Sequence, residues 1–188
     1  NFLIINDGSD DKTKKIVSKY KHIGLINNSK NIGYSKTIQK GIEYAIKKNY
    51  DFLITIDADN QFDYRQVILN YISYAKKFNL ILGIRKNHQR LFEIVFGIIT
   101  NTLMNVKDPM CGAKGFDLKI LKKLNKVKDP AIFGFENVIM MKNFNIKVKE
   151  LKIKIFKRKD NSKIGDLFLG NLKIIYAIFK FFYFYMFV

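Results

Sequence analysis

Four short apolar runs, Phe2 to Ile5, Ile23 to Asn27, Phe52 to Ile56 and Leu80 to Gly83, alternate with segments of helical period. Between the runs, Ile38, Ile42, Ala45 and Ile46 recur three or four residues apart, and so do Ile68, Ile72 and Ala75. Runs this short suit strands, and each helix has one stripe to lay on a sheet. The alternation therefore predicts βαβ units, a mostly parallel sheet and an α/β layer architecture. At 188 residues the chain suits one principal core, large enough to need no disulfide staples.

The second half is less regular. Leu91 to Val106 reads as an unusually apolar helix, followed by a turn at Asp108-Pro109 and a short strand near Gly112 to Phe116. A helix is expected around Glu136, and Leu151, Ile153 and Ile155 alternate with Lys152 and Lys154 as a half-buried strand with a basic outer face. From Leu167 to Val188 the chain is largely aromatic and aliphatic, with aromatic residues placed to cover every face of a helix. The clean apolar stretch falls short of the ~20 residues of a membrane crossing. An interfacial helix with snorkelling lysines or a truncated span is expected, with a buried core helix as the alternative.

Net charge is +18, almost all of it from Lys, since only Arg65, Arg85, Arg90 and Arg158 are arginines. Compositional bias toward Lys, attraction to an anionic membrane surface and nucleic-acid binding each account for such a balance. The lysines are scattered, with no nucleic-acid-binding signature beside them, so no nucleic-acid partner is expected. The lone Cys111 excludes an intrachain disulfide and suits a reducing, cytoplasm-facing setting. Asn1 leads straight into a strand-like run with no basic segment or cleavage site before it, so the start reads as mid-fold, as if upstream sequence were absent.

Chemistry concentrates at strand ends. Asp57-Ala58-Asp59-Asn60-Gln61 follows directly on an apolar run, where open α/β sheets place their ligands. If the segment stays extended, Asp57, Asp59 and the Gln61 amide converge on one hard cation, Mg2+ or Mn2+. Asn6-Asp7-Gly8-Ser9-Asp10-Asp11 repeats the arrangement after the first run, with Gly8 suited to a tight turn. Asp7 is placed either to accept hydrogen bonds from a base or ribose or to cap the next helix.

With these residues the chain resembles family 2 glycosyltransferases of the GT-A fold, and more narrowly the polyprenyl-phosphate sugar synthases. Asn6-Asp7-Gly8-Ser9 resembles that family's nucleotide-binding Asp-Asp-Gly-Ser, with Asn6 in place of the first acid. Asn31-Ile32-Gly33-Tyr34, followed by Gly41 and Ala45, resembles its glycine-led helix, and Asp57, Asp59 and Gln61 match its metal motif position by position. Leu82-Gly83-Ile84-Arg85 with Arg90 is similar to its Gly-Ser-Arg segment, and Asp108-Pro109-Met110-Cys111-Gly112 to its Asp-Pro-x-Ser-Gly, with Cys111 in the serine's place. Arg158 through Ser162 and Lys163 resembles the Arg-x-Gly-x-Ser-Lys stretch that favours the polyprenyl-phosphate branch, with Asp160 where glycine is usual.

The resemblance implies a Rossmann-like mixed sheet flanked by helices, with no counterpart of the family's first βα unit before Asn1. It divides the chain into a GT-A catalytic domain over 1–166 and a membrane-associated or juxtamembrane helix over 167–188. It also implies transfer, with inversion, of a sugar from a nucleotide diphosphate (a UDP- or GDP-sugar) to polyprenyl phosphate at a membrane surface, with the site facing the cytoplasm. Asp59, Asp108 and Arg158 are then expected to be catalytic. Asp7, Gly8, Ser9, Asn31, Gly33, Asp57, Arg85, Arg90, Ser162 and Lys163 would hold the donor or a phosphate, and Asp57, Asp59 and Gln61 the metal. A saccharide acceptor would instead need a base, for which Asp108 or Glu136 is the candidate. The remaining alternative is a non-catalytic basic protein that binds membranes or nucleic acid on a degenerate transferase fold.

Overall fold

The computed structural model describes residues 1–86, 90–124, 127–156 and 167–187. In chain order these form β1 (Phe2–Asn6), α1 (Thr13–Val17), β2 (Ile23–Asn27), α2 (Tyr34–Lys47), β3 (Phe52–Thr55), α3 (Tyr64–Ala75) and β4 (Leu80–Arg85). There follow α4 (Leu91–Met104), β5 (Lys114–Asp117), α5 (Leu118–Leu121), α6 (Glu136–Lys142), β6 (Val148–Ile153) and α7 (Leu167–Phe187).

β1 and β2 pair in parallel, from Phe2 against Ile23 to Asn6 against Asn27. The other four strands run in the order β3-β5-β4-β6. β4 and β6 are parallel, whereas β5 is antiparallel to both β3 and β4. The sheet is thus mixed rather than mostly parallel, because Lys114-Gly115-Phe116 returns between two strands that run the other way. Gly115 makes that insertion possible, since a Cβ there would lie 2.9–3.0 Å from the rings of Phe52 and Tyr71. The consequence for function is positional: β3 and β4 end on one edge, and the segment entering β5 starts on that same edge.

Side chains on β4 alternate between two cores, as the pleat requires. Leu80 and Leu82 join Ile42, Ala45, Phe96, Phe116, Phe135 and Ile139. Ile81 points the other way, into Val67, Tyr71, Ala113 and Ile153. α2 buries Ile42 and Ala45, as its spacing predicts. α3 instead turns Val67 and Tyr71 inward and leaves Ile72 exposed, one residue off the expected Ile68–Ile72–Ala75 stripe. The reason is the Tyr71 hydroxyl, which donates to the Ala113 carbonyl at 2.8 Å and so lets the Tyr71 ring go inside with its polar tip satisfied.

α4 ends at Asn105 in the left-handed conformation, and the Thr100 hydroxyl donates to the Val106 carbonyl at 2.8 Å to close the turn. α7 does have a core face: Ile174, Ala177 and Phe181 are fully buried, and Phe181 packs on Phe96 and Phe135 with ring centroids 5.6 and 6.1 Å away. Its other faces expose Phe168, Leu172, Phe179, Tyr183 and Phe187, while α4 exposes Leu91, Ile94 and Ile98. No helix among the described residues is long and apolar enough to cross a membrane.

Candidate active site

β3 stops at Thr55, so Asp57 to Gln61 is not extended. Asn60 takes a positive φ of 60°, and the Asp59 carboxylate accepts the Gln61 N–H at 3.2 Å. A turn closed on its own Asp side chain, rather than strand alternation, brings the motif together. Gln61 is fixed through its backbone, its carbonyl accepting the Phe156 N–H at 2.8 Å.

Asp57 lies against the Gly112 backbone, where a Cβ would come within 2.0 Å of its carboxylate, so a side chain at 112 would displace that carboxylate. One carboxylate oxygen accepts the Tyr34 hydroxyl at 2.6 Å. Burial pushes Asp57 above its ordinary value and Asp59 pushes it further, against the lowering pull of Tyr34, Lys114 and Arg85. Lys114, 3% exposed, donates to the carbonyls of Cys111 at 2.6 Å and Phe133 at 3.4 Å, and burial lowers its pKa. A buried ammonium thus fixes the floor of the site below Asp57.

The turn after β1 is laced to the loop before α2. Asp7 accepts from Asn28 Nδ2 and the Ile32 N–H, both at 2.9 Å, and from the Gly33 N–H at 3.0 Å. Burial raises its pKa, but these donors outweigh burial and leave it below the usual carboxylate value. Gly8, at φ 68°, lets this turn approach the 30–31 backbone, since a Cβ would sit 2.5 Å from the Asn31 nitrogen. Asn31 accepts the Gly33 N–H at 3.0 Å, and Gly33, at φ 89°, opens onto free space. Ser9 lines a cleft of about 500 Å³ with Asn6, Gly8, Lys14, Asn27 and Asn28. Asp7 therefore shapes the loop that borders this cleft.

Arg85 and Asp108 are partners. The Arg85 Nε and Nη2 atoms donate to the two Asp108 oxygens at 2.8 Å each, and the Arg85 backbone N–H adds a third bond at 3.0 Å. Glu93 bridges Arg85 at 3.2 Å and Arg90 at 3.3 Å, all well buried. Asp108 holds Arg85 well above its ordinary value. Glu136 is fully buried and accepts the Ala131 and Ile132 N–H groups. Arg158, Ser162 and Lys163 lie outside the described residues.

The structure therefore brings Asp57, Asp59 and the Gly112 floor together and adds Lys114 and Tyr34, the latter within the Asn31–Tyr34 motif but not among the expected site residues. Gly8 and Ser9 line the cleft, and Asp7, Asn31 and Gly33 form the turn beside it, linked to the first group through Tyr34. The family model for glycosyl transferase family 2 matches residues 1–107. The chain belongs to that family. Among its relatives, an uncharacterized protein of Methanocaldococcus jannaschii is 27% identical over 146 residues, covering 65% of this chain and 62% of that protein. A dolichyl-phosphate beta-glucosyltransferase of Trichomonas vaginalis is 24% identical over 175 residues, covering 80% of this chain and 53% of that protein. The chain thus spans less than two thirds of either relative. Glucosyl-3-phosphoglycerate synthase from Mycobacterium tuberculosis, solved with Mn2+, uridine diphosphate and phosphoglyceric acid, superposes with a TM-score of 0.70 at 12% identity, covering 95% of this chain and 66% of that one. The likeness shows a shared fold, the mixed α/β GT-A architecture of glycosyltransferases.

The donor set at Asp57 and Asp59 fits a hard divalent cation. Two carboxylates repel one another beside a partly buried strand end, and a cation would relieve that repulsion. Among the described residues no group of three or more His, Cys, Asp or Glu side chains is placed to hold a metal. Two carboxylates with the remaining positions left to phosphate oxygens and water is the usual arrangement for a cation that works on a phosphorylated substrate.

Proposed function

We propose that this family 2 chain is the catalytic part of a metal-dependent inverting glycosyltransferase that moves a sugar from a nucleotide diphosphate to polyprenyl phosphate at a membrane face. The observation that carries the reading is the Asp57–Asp59 pair at the carboxyl edge of the sheet, beside the loop that Asp7 shapes. Asp57 and Asp59 would hold Mg2+ or Mn2+, with Gln61 in the same turn. The bound ion supplies positive charge to the departing diphosphate. The cleft at the ends of β1 and β2, lined by Gly8, Ser9 and Asn28 among others, suits the nucleoside of a UDP- or GDP-sugar. Arg158, Ser162 and Lys163 remain candidates for phosphate contacts through the motif they resemble.

Lipid phosphate is favoured over a saccharide as acceptor by the state of the expected bases. Asp108 is bonded bidentately to Arg85, and Glu136 is buried against two backbone N–H groups. An acceptor oxygen that is already anionic does not need either as a base. The dolichyl-phosphate glucosyltransferase relative points the same way. The apolar outer faces of α4 and α7, with a net charge of +18, suit attachment to an anionic leaflet, with the site on the cytoplasmic side.

Nucleoside diphosphate release, measured with Mn2+ or Mg2+ and polyprenyl phosphate in liposomes, tests the proposal. Asp59→Ala is expected to lose at least about a hundredfold in rate. Wild-type turnover by that variant overturns the metal reading. Turnover with soluble saccharides but not with lipid phosphate replaces the acceptor.

A further inference from the structure

Tyr34 is the first residue of α2, and its placement is set from two directions. Behind it, the Asp7 carboxylate fixes the Ile32 and Gly33 N–H groups, so the turn that launches the helix is pinned to the end of β1. Beside it, the Phe133 ring lies 6.3 Å away at 49°. Phe133 is held in turn, at φ 53°, with its N–H on the Ser35 hydroxyl at 3.1 Å and its carbonyl accepting from Lys114. Backbone and ring are therefore both fixed before the hydroxyl reaches anything.

That hydroxyl then reaches 23 residues along the chain to Asp57, at 2.6 Å. The distance is that of a charge-assisted bond from a phenol to a carboxylate. We propose that Tyr34 is a positioning residue, orienting the Asp57 carboxylate over the Gly112 floor so that its remaining lone pairs face a divalent cation. An ionised carboxylate has about four acceptor sites. One hydrogen bond from Tyr34 leaves room for a metal, while rotation of the group is blocked by the phenol on one side and the Gly112 backbone beneath. Carboxylates that ligate metals are commonly held by such an outer hydrogen bond. Tyr34 also joins the loop shaped by Asp7 to the acid pair, so the two halves of the candidate site share one structural link.

The inference rests on the metal-dependent reading above, and the test separates the two. Mn2+ affinity is read from the electron paramagnetic resonance signal of the free aqua ion, with UDP present as the nucleoside diphosphate, and needs no turnover. Tyr34→Phe keeps the ring and removes only the hydroxyl. It is expected to weaken Mn2+ binding by about tenfold, with the melting temperature of the metal-free protein close to wild type. In an Asp57→Asn background the same change is expected to cost nothing further, because the hydroxyl has lost the carboxylate it orients. Wild-type Mn2+ affinity in Tyr34→Phe, or an undiminished loss in the Asp57→Asn background, overturns the positioning role. Absence of Mn2+ binding by the wild-type protein overturns the metal reading itself, and the role of Tyr34 with it.

Discussion

The carboxylates at the ends of β3 and β4 share one edge of the sheet yet are satisfied in opposite ways. Beyond β4, Arg85 faces Asp108 through two 2.8 Å bonds, and Glu93 ties Arg85 to Arg90. Each of these acids has a guanidinium in contact. Beyond β3, the hydrogen bond on Asp57 comes from a neutral phenol, the Lys114 ammonium is turned onto carbonyls, and the neighbouring acid raises the Asp57 pKa. The first cluster is neutralised within the protein and acts as a strut. At Asp57 the charged form is disfavoured by burial and by Asp59, and a bound cation would favour it; that difference separates the structural carboxylates from the one proposed to bind metal.

Removing one member from each cluster gives the largest contrast. Asp108→Ala leaves Arg85 buried without its bidentate partner, and breaking a buried pair in this way costs about 3–5 kcal/mol. Urea unfolding should show that loss. Asp57→Asn removes a carboxylate that burial and Asp59 disfavour, so the metal-free protein should be as stable at neutral pH as wild type, or more so. Equal destabilisation by both variants would break the distinction.

A smaller loss is expected at Lys114. Lys114→Met leaves the Cys111 and Phe133 carbonyls without their donor, at a cost of about 1–3 kcal/mol in urea unfolding. The variant should also raise the Asp57 pKa further, because Lys114 is one of the groups that lower it. An unchanged unfolding midpoint would show that the ammonium does not hold the floor of the site.

These expectations differ in how far the sequence could have suggested them. Asp57 and Asp59 were legible because an apolar run leads straight into them, and Gly8 because a strand end must turn. Tyr34 and Lys114 were not. Tyr34 reaches Asp57 across 23 residues and Lys114 reaches Phe133 across 19, and Lys114 is placed by β5, whose antiparallel insertion between β3 and β4 the short, glycine-containing stretch at 114–117 does not announce. The α3 stripe was misplaced for a related reason: Val67–Tyr71 and Ile68–Ile72 both recur at helical spacing. Only the Ala113 carbonyl, on the residue that leads into that inserted strand, makes burial of Tyr71 favourable. The Arg85–Asp108 pairing was hidden likewise, since each residue resembled a family motif and neither motif specifies the other as partner.

The smallest expected effects come from pH, and their opposite signs sharpen the comparison within the candidate site itself. Asp7 has a folded-state pKa below 3.8, because Ile32, Asn28 and Gly33 donate to it. The unfolded chain therefore binds more protons between that folded value and 3.8, so Asp7 contributes stability above 3.8 that is lost as pH falls through its folded value. Asp57 has a folded pKa above 3.8, because burial and Asp59 disfavour its charge. There the native state binds more protons, so its contribution is fully present below 3.8 and is lost as pH rises through the folded value. Melting temperatures of the metal-free protein should show both. Asp7→Asn should flatten the fall on the acid side of 3.8, and Asp57→Asn the fall on the alkaline side. Added Mn2+ should reduce the second and leave the first untouched, because the cation favours the ionised Asp57. If Mn2+ left both unchanged, Asp57 would be another internally satisfied carboxylate, like Asp108, and the case for a metal at the end of β3 would fail.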